Sequence, residues 1–176
     1  MLLIAAKQTD AYRGDVALFE PVFAALDDAG VRFVVVGGVA VVLHGHPRMT
    51  ADLDLVIDLA AEPASRAITA LQLLGLQPRL PVDPLSFADA DVRMRWVSER
   101  NLVVFTMIDP REPLLEVDLF AEPPVPFEQL WEHAVSMPLG GRPVRVASIA
   151  DLITMKRAAG RPQDLADITA LEALRG

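Results

Sequence analysis

The sequence contains no cysteine, so disulfide bonds and thiolate metal ligands are excluded. It also contains no run of about 18 consecutive apolar residues, which is the length that a membrane-spanning helix needs. The apolar stretch at residues 1–6 is shorter than the core of a signal peptide, and its nearest cation, Lys7, follows it. From these absences we expect a cytoplasmic protein with no membrane segment.

Positive charge and aromatic side chains are both scarce. The net charge is −8 and aromatic residues make up 6% of the chain. Broad nucleic-acid binding needs clustered cations and uses aromatic rings to stack bases, so the composition argues against it without excluding a local basic patch. Hydrophobic residues make up 52% of the 176 residues, which predicts one domain with a substantial core.

A glycine pair follows a short apolar segment. Residues 32–36 are rich in β-branched side chains and predict a buried strand that ends at Gly37 and Gly38. Without a Cβ at these positions, the chain can turn sharply and a ligand can approach the backbone. Residues 39–44 predict a helix whose free N–H groups would face an anion. The patterns Gly-x-Gly-x-x-Gly and Gly-x-x-x-x-Gly-Lys-Ser/Thr are both absent.

Acidic residues interrupt two further apolar segments. Asp52 and Asp54 are two apart, so both would point to one face of a strand at residues 52–57. Carboxylates that share a face repel one another unless a cation lies between them, and oxygen ligands suit Mg²⁺ or Mn²⁺. A strand at residues 114–120 offers Asp118 as a third acid, with Glu116 as the alternative. An isolated Asp-x-Asp or Gly-Gly has little meaning, and the prediction rests on their order and spacing.

The remaining elements are predicted from hydrophobic periodicity and from the glycine and proline residues between the periodic segments. Residues 91–97 and 102–108 predict a hairpin in which Arg93 and Arg95 share a face, either solvated or available to an acceptor molecule. Residues 77–91 predict a loop-rich segment. A further strand is predicted at residues 143–146. Helices are predicted at residues 15–29, 62–74, 127–134 and 148–159, and from Pro162 onward.

The glycine pair and the acids resemble the nucleotidyltransferases of the DNA polymerase β superfamily. That pattern is an apolar residue, Gly, then Gly or Ser, a helix-length gap, Asp-x-Asp/Glu and a later third acid. The matching positions are Val36, Gly37, Gly38, Asp52, Asp54 and Asp118. Gly38 stands where many members of that superfamily have serine, and the departure removes a hydroxyl that could contact a phosphate.

A closer resemblance is to the bacterial AbiE-type toxin group. Its Gly-Gly-x-Ala, His-Gly and Arg-x-Thr-x-Asp-x-Asp motifs match residues 37–40, 44–45 and 48–54. Segments 147–156 and 160–167 also resemble that group. The resemblance implies an α/β (α+β) nucleotidyltransferase fold with a mixed β-sheet flanked by helices. It further implies a single domain over residues 1–176, with a core at about 30–120 and a C-terminal helical part at about 126–176.

The resemblance also implies roles for individual residues. Asp52, Asp54 and Asp118 would be the catalytic residues and would hold Mg²⁺ or Mn²⁺. The nucleotide would be bound by Gly37, Gly38, Arg48, Thr50 and Lys156. For Lys156, a position on a helix surface is an equal alternative. Arg161 and Asp164 would either cap the last helix or line the nucleotide pocket.

The function implied is transfer of a nucleoside monophosphate from a nucleoside triphosphate to an acceptor hydroxyl, with release of pyrophosphate. The acceptor stays open among tRNA, a protein and a small antibiotic; the toxin resemblance favours tRNA, whereas the acidic balance does not. An antitoxin is a possible partner. The alternative is a module of a toxin–antitoxin system that binds a nucleotide or a partner protein without transfer.

Overall fold

Seven strands form one mixed sheet in the computed structural model, which describes residues 16–175. The strand order is β3-β4-β5-β2-β1-β7-β6. The strands are β1 (Phe33–Val35), β2 (Leu53–Ile57), β3 (Gln77–Pro78), β4 (Val104–Asp109), β5 (Glu112–Phe120), β6 (Val135–Leu139) and β7 (Arg142–Val146). The α/β class predicted from the sequence is thereby confirmed.

Seven α-helices and one 3₁₀ turn accompany this sheet within the described residues. The 3₁₀ turn is at Pro84–Ala88. The helices are α1 (Glu20–Asp28), α2 (Gly37–Leu43), α3 (Ala61–Leu73), α4 (Ala90–Arg100), α5 (Phe127–His133), α6 (Ile149–Ala159) and α7 (Pro162–Leu174). None of the described helices is both long enough and apolar enough to cross a membrane.

The centre of the sheet is its most deeply buried part. β2 lies between β1, to which it is antiparallel, and β5, to which it is parallel. Val34, Val35 and every apolar side chain of β2 are fully buried, as expected for strands covered on both faces. Asp54 is the one polar side chain within β2. A shift of β2 by one residue against its neighbours would move the Asp54 carboxylate to another buried position. The packing of the apolar side chains therefore fixes where Asp54 lies.

Most of the predicted helices are confirmed with small changes at their ends. In α1 the buried residues are Val22, Phe23 and Leu26, which follow the helical spacing read from the sequence. The predicted start of this helix at residue 15 lies outside the described residues. α6 begins as predicted, with the Ser148 hydroxyl accepting a hydrogen bond from the Asp151 amide at 3.1 Å.

The predicted hairpin at residues 91–97 and 102–108 is wrong in its first half. Residues 90–100 form α4, and only the second half is a strand, β4. Asp89 caps the helix by accepting hydrogen bonds from two amides of its first turn, and Asn101 ends it with φ 52°. Arg93 is buried beneath the helix, where its guanidinium donates to Phe87 O and Leu59 O. It therefore does not share an exposed face with Arg95.

The C-terminal part of the chain is not only helical. β6, which the sequence did not predict, pairs with β7 to extend the sheet beside β1. β1 and β7 are parallel, and the amide of Ala147 continues the pairing by donating to Val35 O at 2.9 Å. This connection places the start of α6 next to the glycine pair that follows β1. The predicted division into a core and a C-terminal part stays a prediction.

We expect Asp89→Ala to lower the free energy of unfolding by about 1 kcal/mol, because α4 would lose its N-terminal cap. Urea denaturation measures this change. Glu99→Gln, an exposed substitution in the same helix, is the control and should change stability by less than about 0.5 kcal/mol. Equal effects of the two substitutions would contradict the helix assignment.

Candidate active site

Three carboxylates meet at the end of the central strands. β2 and β5 pair in a register that sets Asp54 directly beside Asp118, and residues directly paired in neighbouring strands share a face. Asp52 lies just before β2, two residues from Asp54, and joins them. One oxygen from each of the three lies within 4.8 Å of the others. The structure thus brings together the three acids predicted from the sequence.

The environment makes full ionisation of these carboxylates unfavourable. Burial, followed by the charges of Asp52 and Asp118, raises the pKa of Asp54 to about 7. The pKa of Asp118 is also raised, mainly by burial. Both shifts arise because the negative form is poorly solvated or lies close to another negative charge. A bound cation would relieve both effects.

The donor set fits a divalent metal ion. Asp118 Oδ1 is buried and has no hydrogen-bond partner among the described residues, which is an unusual state for a carboxylate oxygen. Three clustered carboxylates with a free oxygen are the ligands that Mg²⁺ and Mn²⁺ prefer. Asp52, Asp54 and Asp118 could therefore hold such an ion.

Position 37 must be glycine because the Asp54 carboxylate lies directly against its backbone. Its φ is +62°, and a Cβ at this position would collide with the Asp54 carboxylate. The backbone amide of the next residue, Gly38, also acts on this carboxylate and lowers the pKa of Asp54, although burial and the neighbouring acids raise it by more. The turn after β1 therefore holds the carboxylate in place, and only glycine at position 37 lets the two come so close.

Gly38 has a different requirement, which explains the missing serine. A Cβ at position 38 would lie 2.5 Å from Arg48 Nη2 and would collide with the Thr50 hydroxyl. Thr50 also faces Asp52, whose backbone oxygen lies 3.3 Å from the hydroxyl. The Arg48 and Thr50 side chains thus fill the space that a serine side chain would occupy.

Lys156 lies in a buried ion-pair network rather than on a helix surface. Its Nζ is 3.1 Å from Asp164 Oδ1 and 2.6 Å from Asp167 Oδ2. Asp167 also contacts Arg48, with 3.3 Å between Oδ1 and Nε. The network joins the loop before β2 to α6 and α7. Asp167 was not predicted as a site residue, although it lies in the segment 160–167 that carries the family resemblance.

Arg161 lies at the solvent side of the same network. Its Nε donates to Asp164 Oδ2 at 2.8 Å, and its Nη2 lies 3.3 Å from Asp164 Oδ1. Asp164 also accepts a hydrogen bond from the Arg161 amide at 3.1 Å, so its carboxylate caps the start of α7. The capping role predicted for this pair is confirmed.

Glu116, the alternative third acid, is not part of the cluster. It lies on the same face as Asp118, but its carboxylate binds Arg79 Nη2 at 2.6 Å. Its charge is therefore already paired, and Asp118 is the third acid.

A family model decides what kind of protein carries this site. The model described as nucleotidyl transferase AbiEii toxin, type IV TA system, matches residues 22–175. The chain belongs to the AbiEii nucleotidyltransferase toxin family. As a member of this family it is a nucleotidyltransferase enzyme, and its substrates are a nucleoside triphosphate and an acceptor. Among curated proteins, no sequence matches this AbiEii family member.

Solved structures show the same fold at low sequence identity. A crystal structure of ANT(2")-Ia in complex with adenylyl-2"-tobramycin is 19% identical, with a TM-score of 0.60 over 93% of this chain and 90% of that one. The lincomycin-bound lincosamide antibiotic adenylyltransferase LnuA is 16% identical, with a TM-score of 0.58 over 87% of this chain and 93% of that one. An antigenic nucleotidyltransferase-like protein from Paracoccidioides brasiliensis is 18% identical, with a TM-score of 0.58 over 94% and 77%.

Gly38→Ser restores the residue that many superfamily members have, yet we expect it to destabilise this AbiEii family protein by about 1–3 kcal/mol because the site is already filled. Thermal or urea denaturation measures the loss. Combining it with Thr50→Ala, which vacates part of the space, should recover some of this stability, so the two changes should be non-additive. Additive effects would show that Thr50 does not occupy the space in question.

Asp54→Asn should raise the melting temperature at pH 8 in the presence of EDTA, because it removes one of three crowded negative charges. An acid whose pKa is raised by folding destabilises the native state increasingly as pH rises from about 4 towards 7, so the gain should shrink at pH 5. Differential scanning fluorimetry measures both values.

Asp58→Asn is the matched control at the opposite end of β2. Its carboxylate contacts Arg32 at 2.8 Å, and its pKa is lowered, so neutralising it should not raise the melting temperature. A higher melting temperature for Asp58→Asn, or a lower one for Asp54→Asn, would contradict the electrostatic description of the cluster.

Proposed function

We propose that the chain is a divalent-metal-dependent nucleotidyltransferase that transfers a nucleoside monophosphate to an acceptor hydroxyl and releases pyrophosphate. The observation that carries the proposal is the position of the acid cluster. Three carboxylates with oxygens within 4.8 Å of one another lie against a glycine turn that has no room for a side chain. Such a site can neutralise and position phosphates, which accounts for most of the catalysis in phosphoryl transfer.

In the proposed reaction, an acceptor oxygen attacks the α-phosphorus of the triphosphate. A bond forms between these two atoms, and the bond from the α-phosphorus to the oxygen that bridges to the β-phosphate breaks. Mg²⁺ or Mn²⁺ held by Asp52, Asp54 and Asp118 would neutralise phosphate charge and favour ionisation of the hydroxyl. We assign the acceptor proton to Asp118, because it is the acid with a free buried oxygen, Oδ1.

The nucleotide would be positioned by the turn and the loop that packs against it. Gly37 and Gly38 allow close approach to the backbone. Arg48 and Thr50, both in contact with the Gly38 position, would orient phosphate oxygens beside the acids. A direct phosphate contact by Lys156 stays a prediction, and its burial between two aspartates favours an indirect, positioning role.

For the acceptor, we propose an RNA such as tRNA, in keeping with the toxin description of the family. An antitoxin partner and action in the cytoplasm belong to the same proposal. Two structural neighbours are complexes with adenylyl-2"-tobramycin and with lincomycin, so a small-molecule acceptor is the second candidate. The net charge of −8 supports a short, local RNA contact rather than an extended one.

Incubation with each α-³²P-labelled nucleoside triphosphate, Mg²⁺ and total tRNA should label the RNA. We expect Asp118→Asn to reduce labelling to background, because the cluster loses the charge that balances the cation and the free oxygen that accepts the proton. Gel autoradiography measures the incorporated label, and Asp58→Asn, an acid outside the cluster, should keep the wild-type level.

Label on tobramycin or lincomycin instead of RNA would replace the proposed acceptor but keep the reaction. Label on protein would point to a protein acceptor. An Asp118→Asn variant that still labels RNA at the wild-type rate would contradict the assignment of the site.

A further inference from the structure

Two cations near the acid cluster differ sharply in exposure. The Lys156 side chain is 6% exposed and lies between two aspartates. The Arg161 side chain is 75% exposed. A triphosphate arriving from solvent can therefore meet the guanidinium of Arg161 directly, whereas the ammonium of Lys156 is already surrounded by protein.

Arg161 is held in one orientation although it is exposed. Asp164 accepts hydrogen bonds from its Nε and Nη2, at 2.8 Å and 3.3 Å. A guanidinium has five N–H donors, so roughly three remain for a ligand. A cation fixed in advance loses less conformational entropy on binding than a free side chain does, and guanidinium donors match the geometry of phosphate oxygens.

A continuous set of contacts connects Arg161 to the glycine turn. Asp164 links Arg161 to Lys156, and Lys156 contacts Asp167. Asp167 in turn contacts Arg48, whose Nη2 lies against the Gly38 position. Asp164 first, and then the Asp54 and Asp52 carboxylates among others, raise the pKa of Arg161, which is consistent with its being close to the acid cluster.

Charge within this network is distributed unevenly. Arg48, Lys156 and Arg161 carry three positive charges, and Asp164 and Asp167 carry two negative charges. The two aspartates enclose Lys156, so the surplus charge is presented to solvent mainly by Arg161. That is the distribution a site needs if it attracts the anionic tail of a nucleotide while keeping its internal charges paired.

We propose that Arg161 contacts the β- and γ-phosphates of the triphosphate and then the leaving pyrophosphate, and that Lys156 positions it through Asp164. This inference rests on the proposed function, because it assumes a nucleotide at the acid cluster. A purely structural cap predicts something different. Loss of a purely structural ion pair with Asp164 would lower the stability of the protein, but it would not weaken the binding of a triphosphate more than that of a monophosphate.

The test is isothermal titration of Arg161→Gln with Mg²⁺ and α,β-methylene analogues of ATP, GTP, CTP and UTP, which cannot be cleaved at the α–β bond. We expect affinity for the analogue that the wild type binds to fall about 10- to 100-fold, as for loss of charge-assisted hydrogen bonds. Affinity for the matching monophosphate should change less than about threefold, because the substitution removes no contact with that ligand. Binding of Mg²⁺–pyrophosphate should fall along with that of the analogue.

Arg157→Gln is the matched control, because Arg157 is also an exposed arginine, lies on α6 and is paired with Glu172. This variant should bind nucleotides like the wild type. If Arg161→Gln fails to fold, Arg161→Lys takes its place in the test. Lysine keeps the charge but not the paired donors to Asp164, so this variant should bind the triphosphate analogue more weakly than the wild type does and bind the monophosphate equally well.

The outcomes separate this inference from the proposed function. A wild-type protein that binds none of the nucleotides overturns both. Wild-type binding that Arg161→Gln leaves unchanged, or weakens equally for triphosphate and monophosphate, overturns the role of Arg161 alone.

Discussion

Repulsion among three carboxylates is the constraint around which this molecule is organised. β2 is covered on both faces, yet its sequence places Asp54 directly after the first residue of the strand, and its register with β5 adds Asp118 at the neighbouring position. Burial and proximity then raise the pKa of Asp54 to about 7. The apolar residues on either side of Asp54 hold the strand in place despite the unfavourable free energy of burying clustered carboxylates. A bound divalent cation would offset that free energy.

The rest of the site consists of elements that pack around the three carboxylates. The glycine turn packs against the carboxylate of Asp54, and the Arg48 and Thr50 side chains pack against the turn. β7 brings the C-terminal helices alongside through its pairing with β1. Those helices contribute a network of paired charges that includes Lys156. The positive charge of the site thus comes from the loop before β2 and from the C-terminal part, whereas its negative charge comes from the centre of the sheet.

Sequence reasoning succeeded where a short-range rule decides geometry. Period-two spacing puts Asp52 and Asp54 together, and the absence of Cβ atoms marks Gly37 as a point of close approach. It failed at residues 90–100, where apolar Val92, Met94 and Trp96 alternate with other residues as in a strand. The segment is instead a helix that Asp89 caps and that the buried Arg93 attaches to the rest of the protein. Local periodicity carries no information about a tertiary contact such as the one between Arg93 and Leu59 O.

Exposure of the cations could not be predicted for a related reason. Lys156 and Arg161 are both cations near a helix end, and only the packing of α6 against α7 decides that one is enclosed and the other faces solvent. The family resemblance identified the segment but not this difference. The lack of space for a side chain at position 38 likewise depends on Arg48 and Thr50, whose loop folds back onto the glycine turn. No pattern in the sequence predicts that this loop packs against the turn.

The most direct measurement is a titration with Mn²⁺ followed by electron paramagnetic resonance, with and without a non-cleavable nucleoside triphosphate analogue. The wild type should bind Mn²⁺, and more tightly when the nucleotide is present, while a protein in which Asp52, Asp54 and Asp118 are all replaced by asparagine should lose this binding and keep its fold by circular dichroism. Equal Mn²⁺ binding by the two proteins would contradict the claim that these three carboxylates form the metal and nucleotide site.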